Sequence, residues 1–151
     1  VLRGSNQAAI IAEVRQNGQA VFDNLERQIR NARDARDLTP LPVGAGDGMS
    51  LTLADGSFLN IACFLPGANS NGWIGLATAI SPSYTAMTNQ DAVGGVDVVD
   101  CDLRVIPASQ GDVNSAIVSV SFVLNQGKNA PSRQDFHANV KFETTISLRR
   151  Y

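Results

Sequence analysis

Few residues in this chain are equipped for chemistry. The single histidine, His137, stands in a polar stretch with Ser132 and Asp135 close by. A Ser–His–Asp constellation would require folding to align those three, and no other histidine is present to act as a general base. A solvated loop histidine is the simpler reading. Carboxylates gather at Asp97, Asp100 and Asp102, with Asp91 upstream, but alternation turns Asp100 and Asp102 outward on a strand. The loop spacing of calcium ligands is missing. Cys63 and Cys101 match no zinc or redox spacing. Both fall on the inward parity of predicted strands, which leaves two readings open: a pair of buried thiols, or one disulfide tying two strands in an oxidising compartment. The glycine-rich stretch Val43–Gly48 is VGAGDG. A phosphate loop needs a strand before it, Gly-Lys-Ser/Thr at its end and a helix after it, so this stretch reads as a linker. No catalytic residue, metal ligand or cofactor is assigned, and an enzyme is not expected.

Composition narrows the field further. A chain of 151 residues, 44% hydrophobic and 17% charged, is expected to form one globular domain with a real core. Its net charge of −2 gives no general attraction to nucleic acid, so DNA is an unfavoured partner despite a local group of Lys141, Arg149 and Arg150. No run of eighteen apolar residues is present, so the chain as it stands has no bilayer-spanning stretch. It begins at Val1 rather than Met, which suggests that an upstream segment has been removed. Arg3-Gly4-Ser5 has the look of a tag remnant and carries no weight in the fold.

The long element that must position everything else is the stretch Asn6–Arg36. It has no proline, and Ile10, Val14, Val21, Leu25, Ile29 and Ala32 recur at helical spacing, with Ile11 and Phe22 widening the stripe. Asp23–Arg27, Glu26–Arg30 and Arg30–Asp34 are spaced as i,i+4 pairs on the solvated side. Thr39-Pro40-Leu41-Pro42 then stops the helix, which is predicted over 6–37.

After it, residues 49–151 read as strands and loops. Met49, Leu51 and Leu53 alternate on one arm of a hairpin, and Leu59, Ile61, Cys63 and Leu65 on the other. A two-residue Asp55-Gly56 turn would put these sets on opposite faces. A three-residue loop, Ala54-Asp55-Gly56, sets Leu51 opposite Leu59 and Met49 opposite Ile61, with Gly56 left-handed in a bulge. Trp73–Ile80 is a further strand candidate. Val99, Cys101, Leu103 and Val105 are expected inward on the next strand. Ile117–Leu124 and Val140–Leu148 alternate in the same way. The loops Ser81–Gly95 and Asn125–Asn139 are long and polar, the first with Trp73 and Tyr84 near it. The expected architecture is α+β: one domain over 1–151, with a long N-terminal helix packed on one antiparallel sheet, a meander of about five strands curled over the helix's second half. The stripe runs on up to Ile10 and Ala9, beyond the sheet's expected reach, so neighbours are expected to bury that surplus.

The segment AEVRQNGQAVFDNLERQIRNAR, above all Leu25–Ala32, resembles the C-terminal half of the long helix of type IV pilin-like proteins. The closing FETTISLRRY, Phe142–Tyr151, resembles the last strand of J-type pseudopilins and W-type minor pilins. MTNQDAVGGVDVVDCDLRV is more weakly similar to the approach to a central strand there. The family's cleavage site, apolar helical half and N-terminal glutamate are not in this sequence, so the resemblance implies the soluble part of a longer protein. It further implies a minor pilin or pseudopilin of a type IV pilus or type II secretion pseudopilus, helping to initiate the filament or sitting at its tip. Other pilin or pseudopilin subunits would be its partners, packing against the helix through Ile10, Val14, Val21 and Leu25. A missing N-terminal segment would hold it in the inner membrane before it moves into a periplasmic or cell-surface filament. The alternative is a tip binding module, an adhesin or DNA-uptake pilin, that uses the two long loops.

Overall fold

The computed structural model describes residues 2–78, 83–106, 116–134 and 136–148, with side chains from residue 7 onward except that of residue 134. Asp135, Arg149, Arg150 and the start of the first long loop therefore lie outside the described residues. The chain is α+β, with one N-terminal helix packed against antiparallel sheets. Helix α1 spans Leu2–Arg30. Its buried stripe is Val14, Gly18, Val21, Leu25 and Ile29, the three-and-four spacing that lines up side chains on one face. Arg27 and Arg30 in its last turn suit the negative end of the helix dipole, and Arg30 also meets Glu26 at 2.8 Å.

The helix ends earlier than 37. Residues Ala32–Asp37 form strand β1, paired antiparallel with β2, Ala45–Leu53. Continuing the helical stripe four residues beyond Ala32 would drive Arg36 into the core. The extended chain, with an irregularity between Ala32 and Asp34, buries Ala32 and Ala35 and leaves Arg33, Arg36 and Asp37 in solvent. It also gives β2 a partner on an otherwise open side. The expected Arg30–Asp34 helical pair is thereby lost, and Asp34 instead lies 3.9 Å from Arg36.

Strand β2 also takes in Ala45–Gly48, four of the six residues read as a linker. Gly48 permits this, since a Cβ there would sit 2.9 Å from Leu38 Cδ2 and 3.1 Å from the Ile61 carbonyl. Between β2 and β3, Phe58–Phe64, the register is the expected one: Met49 pairs with Ile61 and Leu51 with Leu59. The Leu53 amide donates to the Ser57 carbonyl at 2.9 Å, and Gly56 has φ +87°. Only glycine adopts that left-handed conformation cheaply. Strands β4, Trp73–Thr78, and β5, Thr85–Ala86, complete a five-stranded sheet in sequence order.

The remaining strands form a second sheet rather than extending the first. Strands β6, Val96–Ile106, β7, Ile117–Gln126, and β8, Val140–Ser147, are joined as a three-stranded meander. A bulge between Val98 and Asp100 shifts the parity of β6, so Val96 and Val98 are buried while Val99, expected inward, is 38% exposed. Helix α1 lies mainly on β7 and β8. There Phe22, Phe122 and Phe142 meet with ring centroids 5.3–5.9 Å apart, in the tilted and offset range that aromatic rings favour.

Candidate interaction surface

Two sheets and a helix leave three kinds of place where something could bind: the uncovered part of the helix, the loop end of the second sheet, and the seams between layers. On the helix, Val14, Val21 and Leu25 are 3%, 7% and 1% exposed. These three residues, expected to pack against neighbouring subunits, are buried within this chain. The physical reason is the notch at Gly18: without a side chain there, Phe142 and Leu124 close up against the helix backbone and the sheet reaches as far as Val14. Ile10 and Ile11 are half-buried against the same core, while Ala8, Ala9 and Ala12 are exposed. The exposed apolar side chains described before Val14 are thus small ones, Ala8, Ala9 and Ala12.

At the loop end, a buried polar clasp ties four segments together. Asp97, fully buried, accepts from the Gly72 amide at 2.6 Å through Oδ1 and meets Arg133 Nη1 at 2.7 Å through Oδ2. Arg133 also donates to the Gln126 carbonyl at 3.1 Å. The Gln126 side chain donates to the Phe136 carbonyl and accepts from the Ala138 amide, at 2.7 and 2.8 Å. Asn71 donates to the Asp91 carbonyl at 2.9 Å and accepts from the Lys128 amide at 2.7 Å. Buried polar groups are tolerable only when paired in this way. The result is that 71–72, 90–97, 126–133 and 136–138 are held as one rigid cap. Sequence reasoning found none of these roles. The signal was Asp97 itself, a carboxylate in phase with the inward residues of its strand.

The seam between the sheets is closed by two links. Cys63 on β3 and Cys101 on β6 are disulfide-bonded, which decides between the two readings of the cysteines. Asp47 holds the same seam, accepting from the Leu103 amide at 2.7 Å and from Gly48 at 2.8 Å. On the outer face of the five-stranded sheet, Phe64 stacks on Trp73 at 4.0 Å and meets Tyr84 edge-on at 5.3 Å. Burial raises the Tyr84 phenol above its ordinary pKa, against a smaller opposing effect of its hydrogen bond with Asn60.

Among the described residues, those singled out for chemistry are not brought together. His137 Nδ1 lies 2.9 Å from the Asn125 side-chain amide, whose oxygen already accepts from the Gln126 amide. Asn125 therefore donates, and the ring proton sits on Nε2. Ser132 Oγ is paired with Gln126 instead, at 3.3 Å. The Asp91 carboxylate caps its own turn, accepting from Val93 at 3.1 Å. Asp102 pairs with Arg104 at 2.9 Å on the outer face. Among the described residues no three His, Cys, Asp or Glu side chains are grouped to hold a metal ion. None of the described helices is long and apolar enough to cross a membrane.

A further cleft, of about 330 Å³, opens between α1 and residues 87–89. Thr88 is part of its wall, and its buried Oγ1 has no hydrogen-bond partner among the described residues. Such an unpaired hydroxyl costs roughly 1–3 kcal/mol. No protein-family profile, curated protein or solved structure matches the chain.

Proposed function

We propose that this chain is a structural subunit of a type IV pilin-like filament, a minor pilin or pseudopilin of a type IV pilus or type II secretion pseudopilus that contributes to filament initiation or to the tip. The observation that supports this reading is the geometry of α1. The helix is 29 residues long, yet among its described side chains, which begin at residue 7, the first fully buried apolar one is Val14. The twelve steps from Leu2 to Val14 carry the helix through roughly 18 Å at its ordinary rise. Over that length Ala8, Ala9 and Ala12 are exposed and small, a surface that lets another helix approach closely. The sheets gather around the other end, and the cap comes up one side of the helix to Ile10, Glu13 and Val14. A rod clothed at one end and along one side, with Ala8, Ala9 and Ala12 left open, is the shape a subunit needs if its helix is to enter a bundle of similar helices.

In this reading the partners are other pilin-like subunits, which meet α1 above Val14. Before assembly the protein is held at the inner membrane by a segment preceding this chain, and afterwards it belongs to a periplasmic or cell-surface filament. The test is site-specific photo-crosslinking of the full-length protein in its native cells, with the crosslinker at Ala9 or Ala12 and, as a control, at Glu143 on the outer face of β8. The expected result is adducts with other helix-first subunits from positions 9 and 12 and none from 143. Adducts from 143 alone, or from no position, would contradict the reading.

A further inference from the structure

The cleft beside α1 has the makings of a binding site that the filament reading does not use. Asn17 and Asn24 stand on one side of the helix, two turns and roughly 10 Å apart. Across from them are Met87, Thr88 and Asn89, with Val96 also in the lining. A volume of about 330 Å³ falls at the small end of the range for small-molecule sites.

The chemistry of the lining is specific. No charged side chain and no aromatic ring belongs to it, which disfavours anions, cations and nucleobases. It does hold three carboxamides with unused hydrogen-bonding capacity. Asn17 makes no side-chain hydrogen bond among the described residues. Asn24 uses only its oxygen, accepting from Arg27 at 3.1 Å. Asn89 likewise uses only its oxygen, accepting from the Asp91 amide at 3.1 Å. Each amide therefore keeps an NH₂ to donate, and each oxygen has a second lone pair. Beside them, Val21, Met87 and Val96 supply an apolar wall. Neutral groups that both donate and accept, next to one apolar surface, match a ligand dense in hydroxyls with one face of C–H bonds. A peptide strand matches less well, because the cleft lies against a helix and offers no sheet edge for its backbone.

We propose that this cleft binds an uncharged sugar of one or two rings, whether or not the chain belongs to a filament. The test is an NMR titration of the folded protein, following the side-chain amides of Asn17, Asn24 and Asn89. The probes are glucose, galactose, mannose, N-acetylglucosamine and N-acetylgalactosamine in turn, with a neutral tripeptide as the comparison. The expected result is a saturable shift of those amides with at least one sugar. Asn17→Leu or Asn89→Leu should weaken that binding about tenfold or more, the loss of one well-made hydrogen bond, with the rest of the spectrum unchanged. Asn24→Leu, on the helix side of the cleft, serves as a further variant and should weaken it as well. No shift with any sugar, an equal shift with the tripeptide, or a shift insensitive to all three substitutions would overturn the proposal.

Discussion

Replacing Gly18 by alanine sets two well-defined effects against each other. In a helix interior glycine is unfavourable, and alanine should gain about 0.8–1.0 kcal/mol from backbone entropy alone. At this position, however, a Cβ collides with the Phe142 ring edge and lies 2.7 Å from Leu124 Cδ1, well inside contact distance. The Phe142 ring has little room to turn aside, because Phe22 and Phe122 flank it at 5.5 and 5.3 Å. Overpacking of such a core costs ~1–3 kcal/mol, so the expected net effect is a loss of about 1 kcal/mol for Gly18→Ala and more for Gly18→Val. Urea denaturation should show the midpoint falling with the slope unchanged. Combining Gly18→Ala with Phe142→Leu should relieve the clash, giving a favourable coupling of at least ~1 kcal/mol in a double-mutant cycle. A rise in the midpoint for Gly18→Ala alone would refute the close helix–sheet approach on which the account of α1 rests.

Other expectations follow from the seam, the clasp and the hairpin. The disulfide closes a separation of 38 residues, so Cys63→Ser with Cys101→Ser should lower stability by about 4 kcal/mol, and the unfolded natural chain should titrate no free thiol without reductant. Arg133→Met leaves the Asp97 carboxylate buried and unpaired and should cost ~3–5 kcal/mol in denaturant unfolding, with part of the loss recovered when Asp97→Asn is added. The Ser57 hydroxyl and amide hold the Asp55 carboxyl below its ordinary pKa of 3.8. Its contribution to stability is therefore present above that value and declines as the pH falls through the depressed folded value. Ser57→Ala should raise the Asp55 pKa in a carboxyl NMR titration and flatten the loss of stability on acidification.

Much of the fold could be read from the sequence where two constraints agreed. In the hairpin, alternation and the Ala54-Asp55-Gly56 loop pointed to one register, and Met49 faces Ile61 accordingly. The lower helix was legible because Val21, Leu25 and Ile29 recur at one period. Reading failed where tertiary demand outweighed local pattern. Ala32–Asp37 has no strong strand formers and continues the helical stripe through Ala32, yet it becomes a strand because the side of β2 away from β3 needs a partner. The second sheet was missed because alternation marks a buried face without saying which strands pair, and the bulge at Val99 hid that Val96 and Val98, not Val99, point inward. The clasp was hidden for a different reason. Asn71, Asp97 and Gln126 are far apart in sequence, and Asn71 and Gln126 look like ordinary surface residues until the loops fold over them. The amides of the cleft are scattered in the same way, on the helix and in the first long loop.

The central claim is that the helix above Val14 is a surface kept for other subunits. Its most direct test is hydrogen exchange of the amides of residues 8–12 in the isolated chain and in the protein incorporated into a filament purified from its native cells. The account predicts slowing by about tenfold or more on assembly, equivalent to ~1.4 kcal/mol of added protection, with the amides of β2 and β3 unchanged. Equal exchange of residues 8–12 in the two states, or protection confined to the sheets, would contradict it.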